Sequence, residues 1–174
     1  MSINAEGQRV RRTNSGVSVD YLYDLAGHAI TELNSSGGWN RGEVYAGGMH
    51  IATYQNGTTY FTHSDWLGTE RVRTSLNGAI YLTWTNLPFG EGSSTPNPGP
   101  THFTGKERDS ETGNNYFGAR FYGPSMGRFM SPDWSAKPQT VPYASLGNPQ
   151  TLNLYSYVVN NPLNRIDPLG HDWF

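Results

Sequence analysis

The chain has 174 residues and a formal net charge of −2, a size that suits one domain and a charge that gives no electrostatic reason to bind nucleic acid or an anionic membrane. Cysteine is absent, which excludes disulfides, thiolate catalysis and cysteine-ligated zinc. Hydrophobic residues make up 35% of the chain and aromatic residues 13%, with 21 glycines and 11 prolines. This composition excludes a coiled coil or a helical bundle, argues against wholesale disorder and favours short strands joined by tight turns.

No part of the sequence has the pattern of a membrane or export segment. No stretch approaches the roughly 18 consecutive apolar residues of a membrane-spanning helix, and no charged segment followed by an apolar run marks a secretion signal. The densest basic cluster, Arg9, Arg11 and Arg12, is more typical of a solvated segment than of a nucleic-acid contact. We therefore predict a flexible N-terminal arm over residues 1–17. The sequence has no phosphate-binding loop or nucleotide fingerprint and predicts no cofactor.

Residues 18–91 repeat a pattern of strand, turn and strand. Asn56-Gly57 and Asn77-Gly78 are turn dipeptides typical of β-hairpins. At the first turn, Asp24 is expected to accept backbone N–H bonds and Gly27 to adopt a positive φ. The spacing of the turn glycines is consistent with an irregular unit of roughly 20 residues. The sequence therefore predicts a mainly β fold, in which antiparallel hairpins form a curved sheet.

The pattern changes in the C-terminal half, residues 92–174, which begins with a linker-like run of Gly, Ser, Thr, Pro and Asn over 92–100. Residues 116–122 are aromatic and predict a strand. Asn148-Pro149 is a typical helix start, and the apolar spacing through Val159 predicts a short helix. Alternation near Leu152 permits a strand instead. We expect this half to be a loop-rich segment that packs over the sheet as a plug.

Four segments resemble the Rhs/YD-repeat family, in particular the Rhs repeat-associated core that closes the repeat region. They are residues 21–27 (YLYDLAG), similar to the YD-repeat signature; residues 60–71, which contain DWLGTER; residues 103–133, from FTGKERD to GRFMSPD; and residues 152–170, from LNLYSYVVNNP to DPLG. The resemblance covers roughly residues 18–170. The order and spacing of the last two segments carry most of its specificity.

This resemblance implies a place in a bacterial polymorphic toxin, such as a Tc toxin C component or a secreted Rhs effector. In such proteins the repeats form a hollow shell around a C-terminal toxin, and the core closes one end. The implied location is secreted or at the cell surface, as part of a larger toxin. In many members the core is also an intramolecular aspartyl-type protease that cuts just after the last Asp-Pro-x-Gly motif.

The candidate catalytic residues for such a protease are Asp133 and Asp167, with Arg128 and Arg165 as supporting residues. A carboxylate pair that shares a proton can activate water and protonate a leaving group, and an arginine can hold or polarise the carboxylates. The alternative is that both aspartates only cap turns, because Asp167 begins an ordinary turn sequence.

Two departures from the family pattern weaken the protease interpretation. Asp133 is followed by Trp-Ser-Ala where the family has Asp-Pro-x-Gly, and His171 stands where a leucine is common. The chain also ends at Phe174, so we expect a shell fragment without a toxin to release.

Other residue groups predict less. His63 and Asp65 share a strand face, but without a third ligand a turn pair is favoured and no metal site is predicted. The aromatic residues, among them Trp39, Trp66 and Trp84, could stack sugars, but cross-strand ladders explain them without a ligand and are favoured.

Three functions thus remain open: a structural part of a toxin shell, an autoprotease core, and a carbohydrate-binding surface module. Because a short repeat array exposes hydrogen-bonding edges, we expect the chain to associate with an upstream Rhs shell or with itself.

Overall fold

The computed structural model describes residues 1–92, 103–133 and 145–171. These residues form two compact units, the first comprising residues 1–84 and the second the described residues from 85 onward. Each unit is built around a separate antiparallel sheet. The predicted fold class, a mainly β protein made of antiparallel hairpins, is confirmed.

The first unit is a nine-stranded sheet in which each strand pairs with its neighbours in the sequence. The strands are β1 (Ser2–Ile3), β2 (Arg9–Asn14), β3 (Val17–Tyr23), β4 (Ala29–Asn34), β5 (Trp39–Ala46), β6 (Met49–Gln55), β7 (Thr58–Ser64), β8 (Glu70–Ser75) and β9 (Ile80–Thr83). The two Asn-Gly dipeptides lie in the β6–β7 and β8–β9 turns, as predicted. Hairpin connections need only local contacts, which explains why the order is sequential.

One turn recurs between these strands. At positions 4, 24, 34 and 65, an Asp or Asn side chain accepts hydrogen bonds from the N–H groups two and four residues later, at 2.8–3.1 Å. The glycine three residues after each of them has a φ of 79–86°, a conformation that glycine adopts without a steric penalty. The predicted roles of Asp24 and Gly27 are confirmed. Asn4 shows that the repeat begins earlier than residue 18.

The prediction of a flexible arm over residues 1–17 is wrong. This segment contains β1 and β2, which belong to the sheet. Arg9 is only 1% exposed, with its guanidinium carbon 5.3 Å from the centre of the Tyr21 ring. The Tyr23 hydroxyl donates to the backbone carbonyl of Arg9 at 2.9 Å. The prediction failed because Arg9 packs on an aromatic ring, whereas a basic cluster is ordinarily solvated.

Buried charges in the sheet are paired with residues on the same or adjacent strands. Arg41 Nη2 lies 2.6 Å from Glu32 Oε2, and Arg41 Nε lies 3.0 Å from Glu43 Oε1. Glu43 also accepts hydrogen bonds from Thr53 Oγ1 at 2.6 Å and contacts His50 Nε2 at 2.7 Å. Burial raises the pKa of Glu43, but these partners outweigh burial and hold the pKa below its ordinary value.

The second unit contains a four-stranded antiparallel sheet, again in chain order. Its strands are β10 (Glu107–Arg108), β11 (Asn115–Tyr116), β12 (Phe121–Gly123) and β13 (Arg128–Phe129). The strand predicted over 116–122 is therefore wrong: β11 and β12 form a hairpin, closed by a hydrogen bond from Phe117 N to Arg120 O at 3.0 Å. Gly118, with a φ of 91°, allows this tight reversal.

The short helix predicted from Asn148 through Val159 is present only in part. The structure has two 3₁₀ helices there, Pro149–Leu152 and Val158–Asn160, and Asn148 makes no side-chain cap. Between them, Tyr155 O accepts a hydrogen bond from Phe129 N and Leu154 O accepts one from Asp133 N, at 3.0 and 2.8 Å. The segment around 154–156 thus pairs with β13 and the residues after it, close to the strand alternative. Carbonyls engaged in this pairing are not available to a continuous helix.

An aromatic cluster forms the core of the second unit. Its buried members are Phe103, Phe117, Tyr122, Phe129, Tyr157 and Val158. The rings lie 4.9–6.0 Å apart between centroids, mostly tilted or edge to face, the arrangement that aromatic quadrupoles favour. This core fixes the β11–β12 hairpin and β13, which carry the candidate site.

Candidate functional site

Asp133 and Asp167 are far apart in the sequence but are brought together in the second unit by Arg120. Arg120 Nη2 lies 3.2 Å from Asp133 Oδ2 and 3.4 Å from Asp167 Oδ2. All three residues are at most 5% exposed. Because both carboxylates contact one nitrogen, their Oδ2 atoms lie within two hydrogen-bond lengths of each other. The structure thus brings both predicted aspartates to the same arginine.

The Arg120 guanidinium is held from several sides. Its Nη1 donates to Leu154 O at 3.0 Å, its Nε donates to Gly170 O, and its Cζ lies 3.6 Å above the centre of the Phe129 ring. A planar guanidinium suits such a site because its donors form a rigid fork. Arg120 therefore places a fixed positive charge between two carboxylates and beside two peptide carbonyls, those of Leu154 and Gly170.

Asp167 uses its two carboxylate oxygens differently. Oδ1 accepts backbone N–H bonds from Leu169, Gly170 and His171, at 3.2, 2.6 and 3.1 Å, and Oδ2 faces Arg120. The turn-capping alternative is therefore correct for Oδ1, while Oδ2 contacts Arg120. Burial raises the pKa of Asp167, more than the backbone N–H groups and Arg120 lower it.

Gly170 allows the turn to approach the β11–β12 hairpin. Its φ is 80°, and an added Cβ would lie 3.2 Å from both Arg120 N and Phe117 O. Both neighbours are backbone atoms, which cannot rotate away as a side chain can. A larger residue at this position would push the Asp167 turn off Arg120.

Asp133 is anchored by its backbone N–H, which donates to Leu154 O at 2.8 Å. Its Oδ1 lies 3.2 Å from His171 Nδ1. The residue after the Asp-Pro-Leu-Gly turn therefore reaches back to the other aspartate, so that both ends of this turn contact the carboxylate pair.

Of the two predicted supporting arginines, Arg128 contacts residues other than the two aspartates. Arg128 Nη1 donates to Gly127 O at 3.0 Å and to Asn160 Oδ1 at 2.6 Å. Arg165 is partly buried, two residues before Asp167. Sequence reasoning missed Arg120 because it lies in the aromatic run that was interpreted as one strand. A charge inside such a run was the available signal, since an arginine is rarely buried without a partner.

The remaining candidates have structural partners. His63 Nε2 lies 3.0 Å from Thr74 Oγ1, while Asp65 accepts N–H bonds in its turn and pairs with Arg71 at 2.8 Å. Among the described residues, no cluster of acidic or histidine side chains has the form of a metal site. Trp84 is buried, but Trp39 and Trp66 are exposed, and Trp39 packs against Tyr54 with ring centroids 5.2 Å apart.

No helix in the described part of the chain is long and apolar enough to cross a membrane.

Comparison with known proteins gave similarities over most of the chain. No protein-family model matches it. It is 28% identical over 173 residues to the tRNA3(Ser)-specific nuclease WapA of Bacillus spizizenii, which covers 95% of this chain and 7% of that protein. It is 40% identical over 124 residues to the probable deoxyribonuclease RhsB of Dickeya dadantii, covering 63% of this chain and 8% of that protein.

The fold is also found in solved toxin structures. The crystal structure of TcdB2-TccC3-TEV matches with a TM-score of 0.68 and 22% identity, covering 97% of this chain and 9% of that one. The chain thus spans less than a tenth of each of these three proteins. The Rhs toxin relatives, the shared fold and the sequence motifs agree: the chain belongs to the Rhs/YD-repeat family.

Proposed function

We propose that the chain is a section of an Rhs toxin shell, in which the nine-stranded sheet is shell wall and the second unit is the repeat-associated core that closes the shell. The observation that carries this proposal is the sheet itself, with neighbouring strands in strict chain order. Such a sheet has little core of its own to bury and is extended by adding further hairpins. The proposed setting is a secreted toxin that is longer than this chain.

The edges of the sheet support this assignment. β1 and β9 are its terminal strands among those described, and both carry exposed apolar residues, Ile3 and Ile80. Unpaired backbone groups at an edge are templates for another strand. In the proposed shell they are paired by neighbouring repeats, and in the isolated chain by another copy.

Edge pairing can be tested by analytical ultracentrifugation. The unmodified chain is expected to associate with increasing concentration, and the double variant Ile3→Lys, Ile80→Lys to remain monomeric because charges at an edge oppose strand addition. Leu25→Lys is the matched control, since Leu25 is fully exposed but lies in a turn. A chain that stays monomeric at high concentration would contradict the proposal.

We propose cleavage of the chain's own backbone near Gly170 as a second function, supported by the contacts of Arg120 with both carboxylates and with Gly170 O. Hydrolysis adds one water across a peptide C–N bond. Asp133 would accept a proton from the attacking water, and Asp167, whose pKa is raised by burial, would donate one to the leaving amine. Arg120 would stabilise the negative charge on the carbonyl oxygen.

A reporter protein fused after Phe174 tests this second function. The expected result is release of the reporter, with mass spectrometry placing the cut next to the Asp167 turn. Asp133→Asn and Asp167→Asn should each abolish release, and Asp24→Asn, which changes the equivalent turn aspartate in the sheet, should not. Circular dichroism checks that each variant folds. An intact fusion, or equal cleavage in the Asp167→Asn variant, would overturn the proposal.

A further inference from the structure

Lys106 is a partly buried residue whose ammonium group the proposed chemistry does not use. It lies between the 3₁₀ helix Phe103–Gly105 and β10. Its Nζ donates to Pro168 O at 2.5 Å and lies 5.6 Å from the centre of the Phe117 ring. Thr104 and Gly105 have φ values of 50° and 69°, so the chain reverses just before Lys106. This backbone conformation is uncommon for threonine and is retained where the surrounding structure requires it.

The contact with Pro168 completes a set of hydrogen bonds to the Asp167 turn. The three successive carbonyls of residues 168–170 each accept one donor: Lys106 Nζ, Ala119 N at 3.1 Å and Arg120 Nε. Ala119 and Arg120 both belong to the loop of the β11–β12 hairpin. Lys106 is the one of these three donors that comes from a different segment of the unit.

A charged donor at this position lowers the free energy of unfolding, because the ammonium group is withdrawn from water. Desolvation of the ammonium lowers the pKa of Lys106, and the nearby Asp167 carboxylate opposes that shift. A buried charge is tolerated when it is paired or hydrogen bonded. An apolar side chain would fill the same space beside Phe117 without that penalty, so packing alone does not account for the amine.

We propose that Lys106 is a positioning residue of the cleavage site: its Nζ holds the Pro168 carbonyl and thereby keeps the Asp167 carboxylate against Arg120. This inference rests on the proposed cleavage function. Without the Lys106 hydrogen bond, the carbonyls of the turn keep two of these three donors. Residue 168 then has one restraint fewer, and small displacements of reacting groups slow catalysis strongly.

The absence of cysteine from the chain allows a direct test. The Lys106→Cys variant of a cysteine-free reporter fusion carries one thiol, which can be alkylated in the unfolded chain before refolding. Alkylation with 2-bromoethylamine restores an ammonium at the end of a side chain of nearly lysine length. Alkylation with 1-iodopropane gives a side chain of the same length and no charge, which is the matched control for packing. Refolded unmodified fusion, treated with each reagent, controls for reaction elsewhere.

The aminoethylated chain is expected to release the reporter at close to the unmodified rate, and the propylated chain about a hundredfold more slowly. Equal rates for the two alkylated chains would overturn the inference, because packing would then be sufficient. Backbone hydrogen exchange at residues 169–171 gives a readout that does not need cleavage. It should be faster in the propylated chain only, and equal protection in the two chains would likewise overturn the role of Lys106.

If the unmodified fusion is not cleaved, the cleavage function fails by itself. The exchange measurement then decides alone whether Lys106 holds the turn.

Discussion

The sheet and the second unit each contain a buried arginine between two carboxylates. The two clusters differ in where along the sequence their carboxylates lie. Arg41 contacts Glu32 and Glu43, which lie on the same or the adjacent strand. Arg120 contacts Asp133 and Asp167, which reach it from separate loops. The first cluster follows from strand pairing alone. The second exists only when the whole unit has folded, which makes it the better candidate for a site with a function of its own.

The largest expected effect is that of Arg120→Met. Removal of the guanidinium leaves two carboxylates buried without their shared cation, which costs about 3–5 kcal/mol. Arg41→Met should cost less, about 1–3 kcal/mol, because Glu43 keeps His50 and Thr53. Urea unfolding of both variants measures the difference. A larger loss for Arg41→Met would contradict the distinction between the two clusters.

Truncation of aromatic residues compares the packing of the two units. Phe117 is 1% exposed and contacts Tyr122, Phe129 and Tyr157, so Phe117→Ala is expected to lower the free energy of unfolding by about 3–4 kcal/mol. Phe61 is 39% exposed on the sheet, so Phe61→Ala is expected to lower the free energy of unfolding by only about 1 kcal/mol. Thermal and urea unfolding measure both. Similar losses would mean that the sheet face is covered in solution.

The pH dependence of stability should have opposite signs at two buried carboxyls. The pKa of Glu43 lies below its ordinary 4.5, so its contribution is present above that pH and is lost as the pH falls through the folded value. The pKa of Asp167 lies above its ordinary 3.8, so its contribution is present below that pH and is lost as the pH rises through the folded value.

Melting temperatures measured between pH 3 and pH 8 test these signs. Glu43→Gln should reduce the loss of stability on the acid side, and Asp167→Asn should reduce the loss that accompanies rising pH. If both substitutions flatten the same limb of the curve, the assignment of opposite shifts is wrong.

The smallest expected effect on stability is that of Trp66→Ala. Trp66 is 70% exposed at a turn, so its removal should change the free energy of unfolding by less than about 0.5 kcal/mol. The same variant tests the carbohydrate-binding hypothesis, because glycan binding that depends on Trp66 would be lost while folding is unchanged. Binding that persists in this variant would exclude Trp66 from any sugar contact.

The sheet could be predicted from the sequence because its information is local. Asp24 and Gly27 specify one turn within four residues, and Asn56-Gly57 specifies another. The same reasoning failed at residues 1–17 because the basic cluster was given more weight than the turn sequence that begins at Asn4. A turn signal depends on backbone geometry, whereas the solvation of a charge depends on what packs against it.

The candidate site was only half predictable. The family resemblance identified Asp133 and Asp167, but Arg120 and Lys106 act through contacts with residues that are distant in the sequence. Their contacts depend on the chain reversal at Gly118. The sequence instead predicts Gly118 to lie inside a single strand. The helix predicted after Asn148 is interrupted for a related reason: the residues near Leu154 pair with β13 and the segment after it, a long-range contact that outweighs local propensity.

The chain order of β1 to β9 also affects how such a sheet folds and how its length can change in evolution. Each hairpin can form as soon as its two strands have left the ribosome, because its pairing needs no segment that is distant in the sequence. A gene that gains or loses two strands and a turn keeps every other pairing intact. The number of strands in such a sheet can therefore vary by duplication of short DNA segments.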